Sequence, residues 1–191
     1  MLRNIAVFAS GGGSNAQKLM EYFKDSEKAK VVLLVGNKKE MGAYEKAKDF
    51  GVQTMIIDRT TFYESDLLPQ LLKKANVDLI VLAGFLWLIP SALIKAFPNK
   101  IVNIHPSLLP KYGGKGMFGH HVHEAVHAAQ EKESGMTIHY VNEKFDEGEI
   151  IFQDKCDINA ADTPETIAQK VLLLEHRNYA PVIDNLIQKM Q

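Results

Sequence analysis

Short apolar runs recur along the chain at Ile5–Ala9, Val31–Val35, Gln53–Ile57, Leu79–Ala83, Ile101–Ile104, Met136–Val141 and Ile150–Gln153. They are rich in β-branched and aliphatic residues and too short for helices, so they predict strands. Between them, apolar residues return every third or fourth position. That spacing predicts helices over Ser14–Lys24, Gly42–Phe50, Thr61–Ala75, Pro90–Ala96, His121–Gln130 and Pro164–Met190. The last opens with Asp162-Thr163-Pro164-Glu165, a capping hydroxyl, a proline in the first turn and an acid beside the positive helix end. Strands alternating with helices are the pattern of βαβ units and predict an α/β fold: one doubly wound, mostly parallel Rossmann-like sheet of about seven strands. Val31–Val35 and Leu79–Ala83 are apolar without a break, as expected of strands covered by helices on both faces. His139 interrupts Met136–Val141 and places that strand nearer an edge.

With 191 residues, 46% of them apolar and 24% charged, the chain suits a single domain over 1–191 whose core needs no disulfide or structural metal. Lys and Arg total 22 against 23 Asp and Glu, a net charge of −1, so there is no general field for nucleic acid or an anionic membrane. Any anion has to be held by a local site. The single cysteine, Cys156, cannot form an internal disulfide or a multi-cysteine metal site, which points to a reducing, cytoplasmic setting. The first apolar run is too short for a signal sequence, and no run approaches the ~20 residues that cross a bilayer.

Three segments carry chemistry. Ser10-Gly11-Gly12-Gly13-Ser14-Asn15 joins the first strand to the first helix. Glycines there let the backbone turn sharply, and the free N–H groups of a helix start attract a phosphate or carboxylate. A plain turn capped by Ser14 is the alternative. Gly11-x-Gly13-x-x-Ala16 also fits a loose dinucleotide fingerprint, but Gly36-Asn37-Lys38-Lys39 lacks the acid expected after the second strand. Asn103-Ile104-His105-Pro106 closes the fifth strand, where Pro106 keeps His105 extended and alternation points Asn103 and His105 the same way. An amide there can hold an oxyanion and an imidazole can move a proton. Phe145-Asp146-Glu147-Gly148-Glu149 reads as an acidic turn with Gly148 at a positive-φ position.

These segments, together with Leu82-Ala83-Gly84-Phe85 and Ser107-Leu108-Leu109-Pro110, resemble the folate-dependent phosphoribosylglycinamide formyltransferases of purine synthesis over about Asn4 to Ile187. Asn-x-His-Pro-Ser-Leu-Leu-Pro is shared by the wider formyltransferase superfamily, and the Gly-Gly-Gly-Ser-Asn loop narrows the choice. The resemblance implies formyl transfer from 10-formyltetrahydrofolate to the amine of 5′-phosphoribosylglycinamide, by a monomer or homodimer with no metal, nucleic-acid or membrane partner. It implies Asn103, His105 and Asp146 as the catalytic trio, with Asp146 favouring charged His105. Gly12, Gly13, Ser14 and Asn15 would hold the phosphate, with Glu175 on the ribose. Leu86, Trp87, Leu88, Ile89, Asn103, Asn142 and Asp146 would line the folate site.

Where many relatives carry an arginine after Ala-Gly-Phe this chain has Trp87, and Thr61–Asp66 contains no arginine ahead of Pro69, so the anionic folate tail lacks its usual partner. Lys111–His121 forms a longer, glycine-rich loop expected to cover the site. His120, His121, His123 and His127 raise a metal reading, but no His-Glu-x-x-His pattern accompanies them, and by resemblance His121 and His123 lie near the substrate. Rival readings are an NADPH-dependent reductase using the glycine loop with Lys38 and Lys39, formyltetrahydrofolate hydrolysis, and a non-enzymatic ligand-binding domain.

Overall fold

In a computed structural model describing residues 2–190, the chain begins with β1 (Arg3–Ala9), α1 (Ser14–Phe23), β2 (Ala29–Gly36), α2 (Gly42–Asp49) and β3 (Gln53–Ile56). It continues through α3 (Arg59–Tyr63), α4 (Leu67–Lys74), β4 (Val77–Leu82), α5 (Ser91–Ala96) and β5 (Ile101–His105). The last elements are α6 (His120–Ala128), β6 (Glu133–Tyr140), β7 (Ile150–Asp157) and α7 (Pro164–Lys189). The strands form a 7-stranded sheet in the order β3-β2-β1-β4-β5-β6-β7. β1 to β5 run parallel, β6 is antiparallel to β5, and β7 is antiparallel to β6. The doubly wound expectation holds, and the His139 strand is second from the edge.

Alternation along each strand feeds two separate cores. Ile5, Val7 and Ala9 face α1, α2, α6 and α7, while Ala6 and Phe8 face α3, α4 and α5. The long α7 buries Ile167, Val171, Leu174, Ile183 and Ile187, each contributing about 1.5–3 kcal/mol of apolar burial. That burial carries the helix through Pro181, which removes one backbone donor.

The helix expected over Thr61–Ala75 is two helices. Asp58 starts α3 early by accepting from Thr61 N at 2.7 Å. Ser65 Oγ donates to Thr61 O at 3.0 Å and accepts from Leu67 N at 3.3 Å, so it serves local bonds that end one helix and begin the next. A continuous helix would also drive the Pro69 ring into the Ser65 carbonyl, whereas in the first turn of α4 the missing N–H matters little.

One buried hydroxyl ties α7 to the functional edge of the sheet. Tyr179, 1% exposed, donates to Leu82 O at 2.8 Å, with Val102 O at 3.5 Å, the carbonyls ending β4 and flanking Asn103 in β5. Tyr179→Phe should destabilise the protein by about 1–3 kcal/mol in urea unfolding followed by circular dichroism. An unchanged midpoint would show that the hydroxyl contributes nothing net.

Candidate active site

Strand order reverses between β1 and β4, and a crevice at such a switch point is where open α/β sheets take ligands. Ser10 joins its two sides: its N–H donates to Gly84 O at 3.0 Å and its Oγ accepts from Leu86 N at 3.0 Å. Gly13 turns the chain into α1 at φ 69°, and a Cβ there would stand 2.6 Å from Ala43 Cβ, so two requirements meet on one glycine. Gly13 is the N-cap and no side chain caps the helix, so the reading of Ser14 as a cap is overturned. The Gln17 N–H to Gly13 carbonyl bond, 2.9 Å, opens the helix ladder, and the N–H groups before it face outward from the helix start. Asn15, one residue inside α1, donates from Nδ2 to Glu175 Oε2 at 2.7 Å. Glu175 is 8% exposed, and burial raises its pKa against the Asn15 bond that lowers it.

At the carboxyl end of β5, Asn103 and His105 reach the same cavity, as their alternation requires. Antiparallel pairing sets His139 of β6 opposite Asn103. His139 Nδ1 lies 2.8 Å from Tyr140 O, so Nδ1 is the donor, and in the neutral ring Nε2 accepts from Asn103 Nδ2 at 3.1 Å. The same amide nitrogen lies 3.5 Å from Asp146 Oδ1. Asp146 Oδ2 accepts from Gly114 N at 2.9 Å and faces His105 Nδ1 at 3.5 Å. His105 Nε2 lies 2.8 Å from the Tyr112 carbonyl, which only accepts, so the ring carries its proton there.

Two imidazoles, one carboxylate and one amide therefore meet in a single cluster. Burial opposes ionisation of Asp146 most strongly, yet the His139 contact, the His105 ring and the Gly114 N–H together hold its pKa below the ordinary value. For His105 the balance falls the other way. Burial lowers its pKa more than Asp146 and Tyr112 raise it: Asp146 favours the charged ring, as expected, but burial outweighs it, and the ring is neutral near neutral pH.

The cavity has a volume of about 670 Å³ and runs from Asn15 and Glu175 past this cluster to Leu86, Trp87, Leu88 and Ile89. Its far wall is aromatic, with Trp87 beside Phe62, Tyr63 and Phe85 at centroid distances of 5.5, 6.0 and 6.1 Å. The glycine-rich loop walls it from Gly114 to Gly119. Gly12, Gly13 and Ser14 stand before Asn15 outside this lining. Asn142, expected in the folate wall, does not line it. Its side chain donates to Glu147 O at 3.0 Å and accepts from Lys144 N at 2.9 Å, folding its own turn, and Val141, Lys144 and Phe145 take the wall instead. The turn differs from expectation too. Positive φ falls on Asp146, at 56°, while Gly148 is needed because a Cβ there would overlap the Tyr140 carbonyl oxygen.

Sequence reasoning missed His139. Its signal was the polar residue breaking an apolar strand, but only cross-strand register shows that it meets Asn103. Arg59 was missed as well: its guanidinium lies 5.3 Å over the Trp87 ring, a cation brought by α3 to the wall where position 87 has none. His121 is exposed on α6 and pairs with Glu124 at 3.2 Å, away from the cavity lining. Among the described residues no group of three His, Cys, Asp or Glu side chains converges as a metal site, and no helix is long and apolar enough to cross a membrane.

An open helix start, a buried carboxylate between imidazoles and an apolar cavity at the switch point are the parts of a small-molecule site in a doubly wound α/β protein. The chain belongs to the formyl transferase family, whose sequence model matches residues 3–183. The chloroplastic phosphoribosylglycinamide formyltransferase of Arabidopsis thaliana is 44% identical over 193 residues, covering 98% of this chain and 66% of the plant protein. The chain thus spans just under two thirds of that relative, and 62% of the corresponding Vigna unguiculata protein. The Bacillus subtilis (strain 168) phosphoribosylglycinamide formyltransferase is 36% identical, with 97% of this chain and 95% of its own length covered. The crystal structure of the Bacillus halodurans enzyme of the same name superposes with a TM-score of 0.88 at 34% identity, covering 99% of this chain and 97% of that one.

The electrostatics give a measurable sign. A lowered folded pKa means that the stability linked to His105 is present above its ordinary value of 6.5 and is lost as pH falls through the folded value. Imidazole resonances of His105 followed by NMR should titrate below 6.5, and lower still in Asp146→Asn, where burial stays and the carboxylate charge goes. A midpoint above 6.5 would restore the charged ring.

Proposed function

We propose that this chain transfers the formyl group of 10-formyltetrahydrofolate to the amine of 5′-phosphoribosylglycinamide, giving the formylated ribonucleotide and tetrahydrofolate, as one catalytic unit in purine synthesis. The observation that carries this reading is the meeting of Asn103, His105 and Asp146 in a cavity that also reaches the Asn15–Glu175 pair. The names of the relatives support it, and family membership weighs against the reductase reading built on the glycine loop.

The ribonucleotide phosphate takes the N–H groups at the start of α1 around Gly12, Gly13 and Ser14, with Asn15 at their end. Glu175, fixed by Asn15, accepts from the ribose hydroxyls. The folate ring occupies the wall from Leu86 to Ile89. The glycinamide amine of the ribonucleotide attacks the formyl carbon, and negative charge develops on the formyl oxygen. Asn103 has one N–H anchored on His139 and the other facing Asp146 only at 3.5 Å, so that second N–H turns to the oxyanion. His105 Nδ1, unprotonated in the neutral ring and facing Asp146 Oδ2, receives the proton shed by the amine, and the carboxylate stabilises the cation formed. As the carbon–N10 bond breaks, that proton passes to N10. Bonds and protons balance without a covalent enzyme intermediate.

Arg59 supports the same donor. Among the described residues it has no carboxylate partner, and its position over Trp87 offers a flat cationic surface to a benzoyl-glutamate tail. The single cysteine supports a reducing compartment such as the cytoplasm.

The deciding assay mixes the protein with both substrates and follows loss of the formyl folate by absorbance, with charged initiator tRNA and water alone as acceptor controls. Turnover only with the ribonucleotide is expected, and deformylation by water alone would overturn the reading. Asn103→Ala should reduce turnover by about 10²–10³. Arg59→Gln should raise KM for the folate about three- to tenfold and leave it unchanged for a donor truncated before its glutamate. Equal effects on both donors would remove Arg59 from tail recognition.

A further inference from the structure

The turn after β5 carries Ser107-Leu108-Leu109-Pro110, and the mechanism above gives these residues nothing to do. Ser107 is 1% exposed. Its Oγ donates to the Lys111 carbonyl at 2.6 Å, and its own carbonyl accepts from Thr137 Oγ1 at 2.6 Å. Thr137, buried in β6, also accepts from Leu109 N at 3.0 Å and from Gln153 Nε2 at 2.9 Å, and the same Gln153 nitrogen donates to Leu109 O at 3.0 Å. None of Ser107, Thr137 and Gln153 lines the cavity that holds His105. On the other side of the turn lies a second cavity of about 550 Å³, lined by Ser107, Lys111, Tyr112 and Gln153 among others. Hydrogen bonds, rather than dense packing, therefore fix the turn on that side.

The end of this turn decides where the His105 proton sits. Two acceptors compete for it: Tyr112 O stands 2.8 Å from Nε2, and Asp146 Oδ2 stands 3.5 Å from Nδ1. A carboxylate is the stronger acceptor at equal distance, so the proton stays on Nε2 only while the Tyr112 carbonyl keeps its closer place. Tyr112 does not keep that place by its own preference. Its φ of 56° lies in the left-handed region, which a bulky side chain adopts only where its surroundings enforce it. The Ser107 hydroxyl grips the peptide group immediately before Tyr112 and so sets that torsion from a buried position. From outside, Lys111 Nζ and Tyr112 Oη both reach Glu131 Oε1 at 2.9 Å, where water screens the ion pair and weakens its hold.

We infer that Ser107 is a positioning residue: by holding the peptide between Lys111 and Tyr112, its hydroxyl keeps the His105 proton on Nε2 and so leaves Nδ1 free to take the proton of the attacking amine. This rests on the formyl-transfer reading above. Burial disfavours the charged ring but does not distinguish the two neutral tautomers, so the choice between them falls to the placement of the Tyr112 carbonyl. The competing tautomer, with Nδ1–H donating to Asp146, is equally neutral, yet it presents no lone pair where the amine proton must go. If that tautomer came to hold about nine-tenths of the molecules, the competent fraction would be about one-tenth.

The test uses the full chain with nitrogen-labelled histidine, whose ring-nitrogen NMR shifts report the tautomer, beside steady-state kinetics and melting temperature. Wild type should carry the His105 proton on Nε2. Ser107→Ala should move most of the population to Nδ1–H and lower kcat about tenfold, with both KM values within about twofold because Ser107 touches no substrate. Ser107→Thr, which keeps the hydroxyl, should retain the wild-type tautomer and recover most of kcat. A wild-type proton on Nδ1, an unchanged tautomer in Ser107→Ala, an unchanged kcat beside a changed tautomer, or a loss confined to KM or to melting temperature overturns the inference. So does a folded Ser107→Thr with the tautomer of the alanine variant. If Ser107→Ala does not fold, Ser107→Cys, a weaker donor, is read by the same criteria. Should wild-type protein turn over no substrate, the formyl-transfer reading falls, and the tautomer comparison still decides whether Ser107 governs His105.

Discussion

A carboxylate almost shut off from water needs polar company at each oxygen, and three separate parts of the chain, β5, β6 and the glycine-rich loop, bring it to Asp146. Gly114 donates a backbone N–H to Oδ2, the Asn103 amide nitrogen lies 3.5 Å from Oδ1, and the His105 and His139 rings stand at 3.5 and 3.6 Å. Nearly every unusual local feature follows from this. Asp146 itself sits at positive φ to reach inward, Gly148 clears the Tyr140 carbonyl so that the turn can close, and the glycine-rich loop is pinned at both Tyr112 and Gly114. If the carboxylate were lost, three polar side chains would remain in a poorly solvated cleft with fewer partners than they need.

The same cluster decides which proton sits where. Two backbone carbonyls, Tyr112 O and Tyr140 O, each hold one imidazole nitrogen and so leave the other nitrogen of His105 turned toward Asp146 and that of His139 toward Asn103. Carbonyls are suited to this because they cannot donate and do not titrate. Burial then keeps His105 neutral against the attraction of Asp146, leaving it able to take up a proton. The supporting frame is stiff where it matters: Tyr179 binds α7 to the ends of β4 and β5, and Ser10 locks the β1 and β4 loops together across the switch point.

The aromatic wall of the cavity shows how a cation can be brought to a site through space rather than along the chain. Arg59, twenty-eight positions before Trp87 and carried by α3, lays a guanidinium over that indole. α3 can do this because the expected long helix breaks at Ser65 and Pro69, which lets Arg59–Tyr63 lie against the aromatic patch as an independent turn.

The strands, most helices, the switch-point glycine turn and the Asn103–His105 pair were legible in the chain, because each depends on residues close in sequence: apolar periodicity, a proline after His105, glycines before a helix. The link from Asp146 to His105 came from family resemblance alone. His139 opposite Asn103, the neutral state of His105, Asn142 folded into its own turn, and Arg59 on Trp87 were decided only by tertiary structure. Cross-strand register, burial and contacts between distant segments set them, and none of these is a property of neighbouring residues.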